Sequence, residues 1–193
     1  MQNSKPIGKS DDSSKEFIIK CLKGDKTYGF DIDSIYLLHR SDINQYYIFE
    51  YLKCESEYLT PHGSDPKYYP YNWRKFHSLF QLAKRLKAKL ILVNYGDGYK
   101  QVKLDNGEIA LQELPNKDKY INEVKLFYVS GVNYDALKEY ENTDFAHRPK
   151  HLEYLEYERI EKITLDEFSQ KLRQLNALCA NSQIDWDRLK NEC

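Results

Sequence analysis

Leu90-Ile91-Leu92-Val93-Asn94-Tyr95 is a nearly continuous apolar run of strand length, and it follows directly on the clearest helical pattern in the chain. A strand with so little alternation reads as buried on both faces, so it must lie inside a sheet with structure on each side. The segment before it places Phe76, Leu79, Phe80, Ala83 and Leu86 at helical spacing after a candidate cap at Asn72. That pattern predicts a helix from about Asn72 to Lys87 with one apolar stripe. Lys84, Arg85, Lys87 and Lys89 crowd its C-terminal end, where they complement the helix dipole.

Upstream, Phe30 to Leu38 and Tyr46 to Cys54 have strand character, with turn chemistry at Ser41-Asp42-Ile43-Asn44 between them. Residues 28 to 54 are therefore expected to form an antiparallel hairpin. A helix linking a hairpin to a buried central strand implies a right-handed crossover and a mixed sheet. Downstream come a hairpin around Asp105-Asn106-Gly107, a strand at Val124 to Val129, polar irregular chain over 133 to 152, and an edge strand at Leu155 to Ile160. Thr164-Leu165-Asp166-Glu167 has capping-box spacing and opens a last helix reaching about Leu178. The expected fold class is α/β, a mixed sheet flanked by helices. Residues 1 to 14 read as a flexible tail and 15 to 193 as one domain, with a core over about 15 to 130 and a strand-helix extension over about 131 to 193.

The 193 residues suffice for one well-buried domain. With 29 basic and 30 acidic residues the net charge is −1, so no global field draws the chain to nucleic acid or anionic lipid, and any such contact needs a local patch. Cys21, Cys54, Cys179 and Cys193 form no CxxC pair and read as thiols of a reducing compartment. Residues 1 to 15 are polar, and Leu90 to Val93 is too short to span a bilayer, so the expectation is a cytoplasmic protein with no membrane partner. The 17 tyrosines, alongside abundant Lys, Asn and Ile, are what an AT-rich genome encodes, and carry no binding signal by themselves.

One residue breaks the strand pattern. The alternation that puts Ile48, Leu52 and Cys54 on one face puts Glu50 there too. A carboxylate in an apolar row costs several kcal/mol unless a charge or hydrogen bond meets it. Lys53 follows three residues later, and Asp31 and Asp33 lie on the preceding segment. Acids and a lysine on neighbouring strands suit metal-assisted phosphodiester hydrolysis, which needs hard oxygen ligands and a cation near the attacking water or scissile phosphate. The alternative is an ion pair without chemistry.

The segments Phe30-Asp31-Ile32-Asp33 and Phe49-Glu50-Tyr51-Leu52-Lys53, followed by a helix and a strand, resemble the PD-(D/E)XK nuclease superfamily over roughly residues 15 to 95. The resemblance implies a restriction-endonuclease-like core and a Mg²⁺- or Mn²⁺-dependent nuclease acting on DNA or RNA, in restriction, phage defence or mobile-element biology. Asp33 (or Asp31) and Glu50 would be the metal ligands, and Asp33, Glu50 and Lys53 the catalytic set. No Pro precedes either Asp, which that superfamily tolerates. The acid and the lysine are three apart, so a β-bulge at Tyr51-Leu52 is needed to bring them to one side.

Lys67-Tyr68-Tyr69-Pro70-Tyr71-Asn72-Trp73-Arg74-Lys75 interleaves aromatic and basic side chains, a pattern suited to stacking on bases and pairing with phosphates. Lys67, Tyr69, Trp73, Arg74 and Lys75 are its nucleic-acid-binding candidates. The competing role is structural, with Trp73 and Phe76 stapling the helix start to the sheet. A non-catalytic nucleic-acid- or protein-binding module of the same fold is the rival function, and a homodimer or a protein partner through the tyrosines stays open. His62, on the loop over 55 to 72, is a candidate auxiliary ligand or proton carrier. His147 and His151 have metal-ligand spacing, but Pro149 between them opposes a helix. Neither GxSxG, GxGxxG nor a Walker loop occurs in the sequence.

Overall fold

The computed structural model describes residues 32–39 and 44–182, and Cys21 in addition. The chain divides into two units, Met1–Asp31 and Ile32–Cys193. Within the first only Cys21 is described, helical and exposed. The expectations for the tail, for Asp31 and for the turn residues Ser41, Asp42 and Ile43 lie outside the described residues.

The described domain is α/β. Ser34–His39 (β1) pairs antiparallel with Asn44–Lys53 (β2), and β2 pairs parallel with Lys89–Tyr95 (β3). Between them runs the crossover helix Trp73–Leu86 (α1). Tyr99–Lys103 (β4) and Ile109–Glu113 (β5) form a separate two-stranded ribbon, turned at Gly107 with φ of +86°, the left-handed conformation that glycine adopts freely. Lys117–Asn122 (α2), Glu123–Val132 (β6), Tyr134–Asn142 (α3), Leu155–Thr164 (β7) and Leu165–Asn181 (α4) complete the domain. The main sheet has the order β1-β2-β3-β6-β7, mixed because only the β2–β3 pair is parallel.

The apolar run at 90 to 93 occupies the middle of this sheet. Leu90, Ile91, Leu92 and Val93 are all buried, and they alternate between two cores. Leu90 and Leu92 join Ile48, Phe127, and Phe76, Leu79 and Ala83 of α1, with Leu137 and Tyr140 of α3 on the same side. Ile91 and Val93 join Phe49, Val124 and Leu126 on the other side, against Phe168, Leu172 and Leu175 of α4. Helices thus cover both faces, which is why this strand tolerates no alternation. The Thr164 hydroxyl accepts from the Glu167 N–H while the Glu167 carboxylate accepts from the Thr164 N–H, closing the capping box that opens α4.

Several elements differ from the sequence expectation, among them α2, which lies where no helix is expected. The polar stretch after 132 contains α3, capped by the Asn133 side chain accepting from the Ala136 N–H. β7 runs to Thr164 and so meets the capping residue of α4 directly.

A candidate acidic site beneath the crossover helix

Glu50 sits in β2 between Ile48 and Leu52, on the face that carries α1, and only 3 % of it is exposed. Its Oε1 lies 2.6 Å from Lys75 Nζ, an ion pair between the strand and the first turn of the helix. In helical phase Lys75 is four residues before the buried Leu79, so it projects toward the sheet beside Phe76. The lysine side chain is 26 % exposed and bridges from the carboxylate to the surface.

Asp33 lies one residue before β1. The pairing of Ser34 with Phe49 and Ile35 with Ile48, carried one step further, sets Asp33 opposite Glu50. Its Oδ2 accepts a hydrogen bond from the Tyr51 N–H at 2.6 Å, so the carboxylate is held against the backbone of β2.

Lys53 is not brought to Glu50. The β2–β3 register runs without a break from Tyr47 opposite Lys89 to Lys53 opposite Tyr95, so the bulge needed at Tyr51-Leu52 is absent. Three positions apart, with two residues between them, Glu50 and Lys53 point to opposite faces of a regular strand. The Lys53 ammonium is engaged elsewhere, 2.9 Å from Glu55 and 3.0 Å from Asp97. Glu55 first and then Asp97 push its pKa above the ordinary lysine value. The lysine that meets Glu50 is Lys75, from the segment that interleaves aromatic and basic side chains.

That segment folds as two short 3-10 turns, Pro66–Tyr68 and Pro70–Asn72, leading into α1. Its cations do not form an open array. Lys67 pairs with Glu153 at 2.9 Å, Arg74 with Glu141 at 3.1 Å, and Lys75 with Glu50. The Trp73 indole N–H donates to Glu141 at 3.1 Å, and the Tyr69 hydroxyl shares a 3.0 Å hydrogen bond with Ser64. Glu141 belongs to α3, the helix that the sequence pattern did not reveal, so these neutralising partners were invisible in one dimension.

A second polar cluster lies on the same face toward the end of β3. Lys125 in β6 is 7 % exposed; its ammonium donates to the Ser64 carbonyl at 2.9 Å, lies 3.5 Å from Asp65 and 4.6 Å above the Phe127 ring. Desolvation pulls its pKa below the ordinary lysine value, with Asp65 opposing. Beside it in register, between Leu52 and Lys125, stands the fully buried Asn94. Neither polar atom of the Asn94 side chain has a hydrogen-bond partner among the described residues. The loop after β2 is pinned over this cluster by Thr60 donating to Glu123, by the Cys54 thiol donating to the Leu59 carbonyl at 2.8 Å, and by the Tyr120 hydroxyl donating to the Ser56 carbonyl at 2.6 Å. His62 is tied into the same anchor: its N–H donates to Glu123 at 3.1 Å and its ring nitrogen lies 3.0 Å from the Ile163 carbonyl.

Among the described residues no group of three or more His, Cys, Asp or Glu side chains is placed to hold a metal ion. No described helix is long and apolar enough to cross a membrane. Neither a protein-family model nor any curated protein or solved structure matches the chain.

Proposed function

We propose that this domain is a metal-dependent nuclease with a PD-(D/E)XK-like core, in which Glu50 and Asp33 are the acids and Lys75 takes the part that the sequence motif gives to Lys53. The observation that carries the reading is the 2.6 Å ion pair of a 3 % exposed Glu50 with a lysine from the crossover helix. A buried ion pair is weak as a stabilising device, since apolar residues of like volume often do as well or better. Its presence in the middle of an apolar face is therefore better accounted for by use than by stability.

Magnesium is usually held on proteins by one or two carboxylates, with water and phosphate oxygens completing the octahedron. Asp33 and Glu50, opposite one another by register, would supply such a pair, which fits that donor set and no larger one. When bound, the ion polarises a phosphoryl oxygen and lowers the pKa of bound water. The chain's own contributions follow from position. Glu50 presents negative charge from a rigid strand. Asp33 is steered by the Tyr51 N–H. Lys75, whose side chain is 26 % exposed, would pair with a phosphate oxygen when its place against Glu50 is taken by another cation.

The rival reading is a non-catalytic binding module in which Lys75 already balances Glu50 permanently. A Mg²⁺ titration by thermal shift separates the two. The nuclease reading expects wild-type protein to gain stability with rising Mg²⁺ or Mn²⁺ by mass action, about 2.7 kcal/mol at a hundredfold excess over Kd. Glu50→Gln is expected to lose that response. A variant that responds as fully as wild type removes Glu50 from the site and favours the rival.

A further inference from the structure

Residues 66 to 96 contain seven cations, Lys67, Arg74, Lys75, Lys84, Arg85, Lys87 and Lys89, and neither Asp nor Glu. The first three meet Glu153, Glu141 and Glu50. The other four are exposed, and none of them meets a carboxylate among the described residues. They occupy four of six consecutive positions across the turn from α1 into β3. Lys84 and Arg85 lie in the last helical turn, Lys87 is the C-cap, and Lys89 opens the strand opposite Tyr47.

The helix dipole accounts for cations in a last turn. It does not account for Lys89, which is outside the helix. Nor does it account for Lys87, whose φ of +51° is the left-handed conformation that ordinarily selects glycine at this position. In a chain of net charge −1, a cluster of like charges that meets no carboxylate among the described residues is self-repelling unless an anion meets it.

We propose that the α1–β3 turn, through Lys84, Arg85, Lys87 and Lys89, is the surface that holds the phosphate backbone of a nucleic acid. The proposal rests on the nuclease reading for the path of the bound strand. Lys84 is nine residues from Lys75 on one helix, which at 1.5 Å per residue is about 13 Å. Nine positions are also two and a half turns, which set Lys84 on the opposite side of α1 from Lys75, so a bound strand reaches the Glu50–Lys75 pair by passing around the helix, over at least about four nucleotides at about 3.4 Å of rise per phosphate. A regular polyanion suits the patch because exposed cations without a shaped cavity read charge and not bases.

The test is metal-free binding of the full chain to a labelled DNA duplex and to single strands, followed by anisotropy from about 50 to 200 mM salt. The variant replaces Lys84, Arg85, Lys87 and Lys89 by Gln, and a control replaces the exposed Lys138 and Lys150 by Gln. The patch variant is expected to bind at least about tenfold more weakly at low salt, with a log K against log salt slope shallower by about 3 to 4. The control is expected to bind as wild type does. Wild-type affinity and slope in the patch variant overturn the proposal, as does an equal loss in the control or a wild type that binds neither substrate. Loss of binding to anionic lipid vesicles with nucleic-acid binding unchanged also overturns it and assigns the patch to a membrane surface. Cleavage assays on the same proteins keep the two claims apart. Patch-dependent binding without Glu50-dependent cleavage sinks the nuclease reading alone, whereas Glu50-dependent cleavage with patch-independent binding sinks this inference alone.

Discussion

Asn94 shows how one side chain can sit against its surroundings. It belongs to the most buried strand of the sheet, yet both ends of its carboxamide lack partners among the described residues. Desolvating an amide without a hydrogen bond costs about 1–3 kcal/mol in proteins. Asn94→Val removes the polar atoms and adds a β-branched residue that suits a strand. It is expected to raise the unfolding free energy by about 1 kcal/mol in urea titration. A loss of stability of that size would show that the carboxamide bonds to a group outside the described residues. Glu50 is the contrasting case. Its burial was legible from alternation alone, because one charged residue in an apolar row needs only a period of two to be noticed. Its partner was not legible. Lys53 is near in sequence but on the wrong face, while Lys75 is distant in sequence and brought in by the packing of α1. The available signal was helical phase, since Lys75 lies four residues before Leu79 on the buried stripe.

At the scale of elements, α1 and β3 were readable because each buries a dense pattern. Helix α3 was not, because it buries only Leu137 and Tyr140 among Asp135, Lys138, Glu139 and Glu141, too sparse a stripe to stand out. The crossover helix also distinguishes two phenylalanines that the pattern treats alike. Phe76 is fully buried in the core shared with Ile48 and Leu92, whereas Phe80 is only partly buried at its margin. Phe76→Ala is expected to destabilise by about 3–5 kcal/mol, and Phe80→Ala by clearly less. Equal losses in denaturant titration would mean that α1 is rotated on the sheet relative to the packing described above. Such a rotation would also move Lys75 away from Glu50, so this comparison bears on the site as well as on the fold.

For the whole molecule, titration has a definite sign. Burial raises the pKa of several tyrosines, most strongly Tyr154 and Tyr157, above the ordinary phenol value. A raised phenol contributes stability that is present in full below the unfolded pKa of about 10 and is lost as pH climbs toward the folded value. Lys125 has the opposite sign. Its lowered pKa makes its burial less costly as pH rises from the folded value toward about 10.5. One lysine is set against many phenols, so the midpoint of denaturation should hold or rise slightly up to about pH 10 and then fall steeply. Phenolate absorbance of the most buried tyrosines should appear with unfolding and not before it. Phenolate absorbance from all the tyrosines well before unfolding would contradict the packing of Tyr154 and Tyr157 in the core shared with residues of α1 and α3.

Under the proposed function, Glu50 with Asp33 and Lys75 forms a metal-dependent site for phosphodiester cleavage. Its most direct measurement is incubation of the full chain with mixed DNA and RNA substrates, with and without Mg²⁺ or Mn²⁺, beside Glu50→Gln and Lys53→Ala. Metal-dependent cleavage is expected of wild type, with a loss of at least about a hundredfold in Glu50→Gln and retention in Lys53→Ala, whose ammonium serves Glu55 and Asp97. Metal-independent or absent cleavage by wild type would contradict the proposed function, and so would a Glu50→Gln variant that cleaves as the parent does.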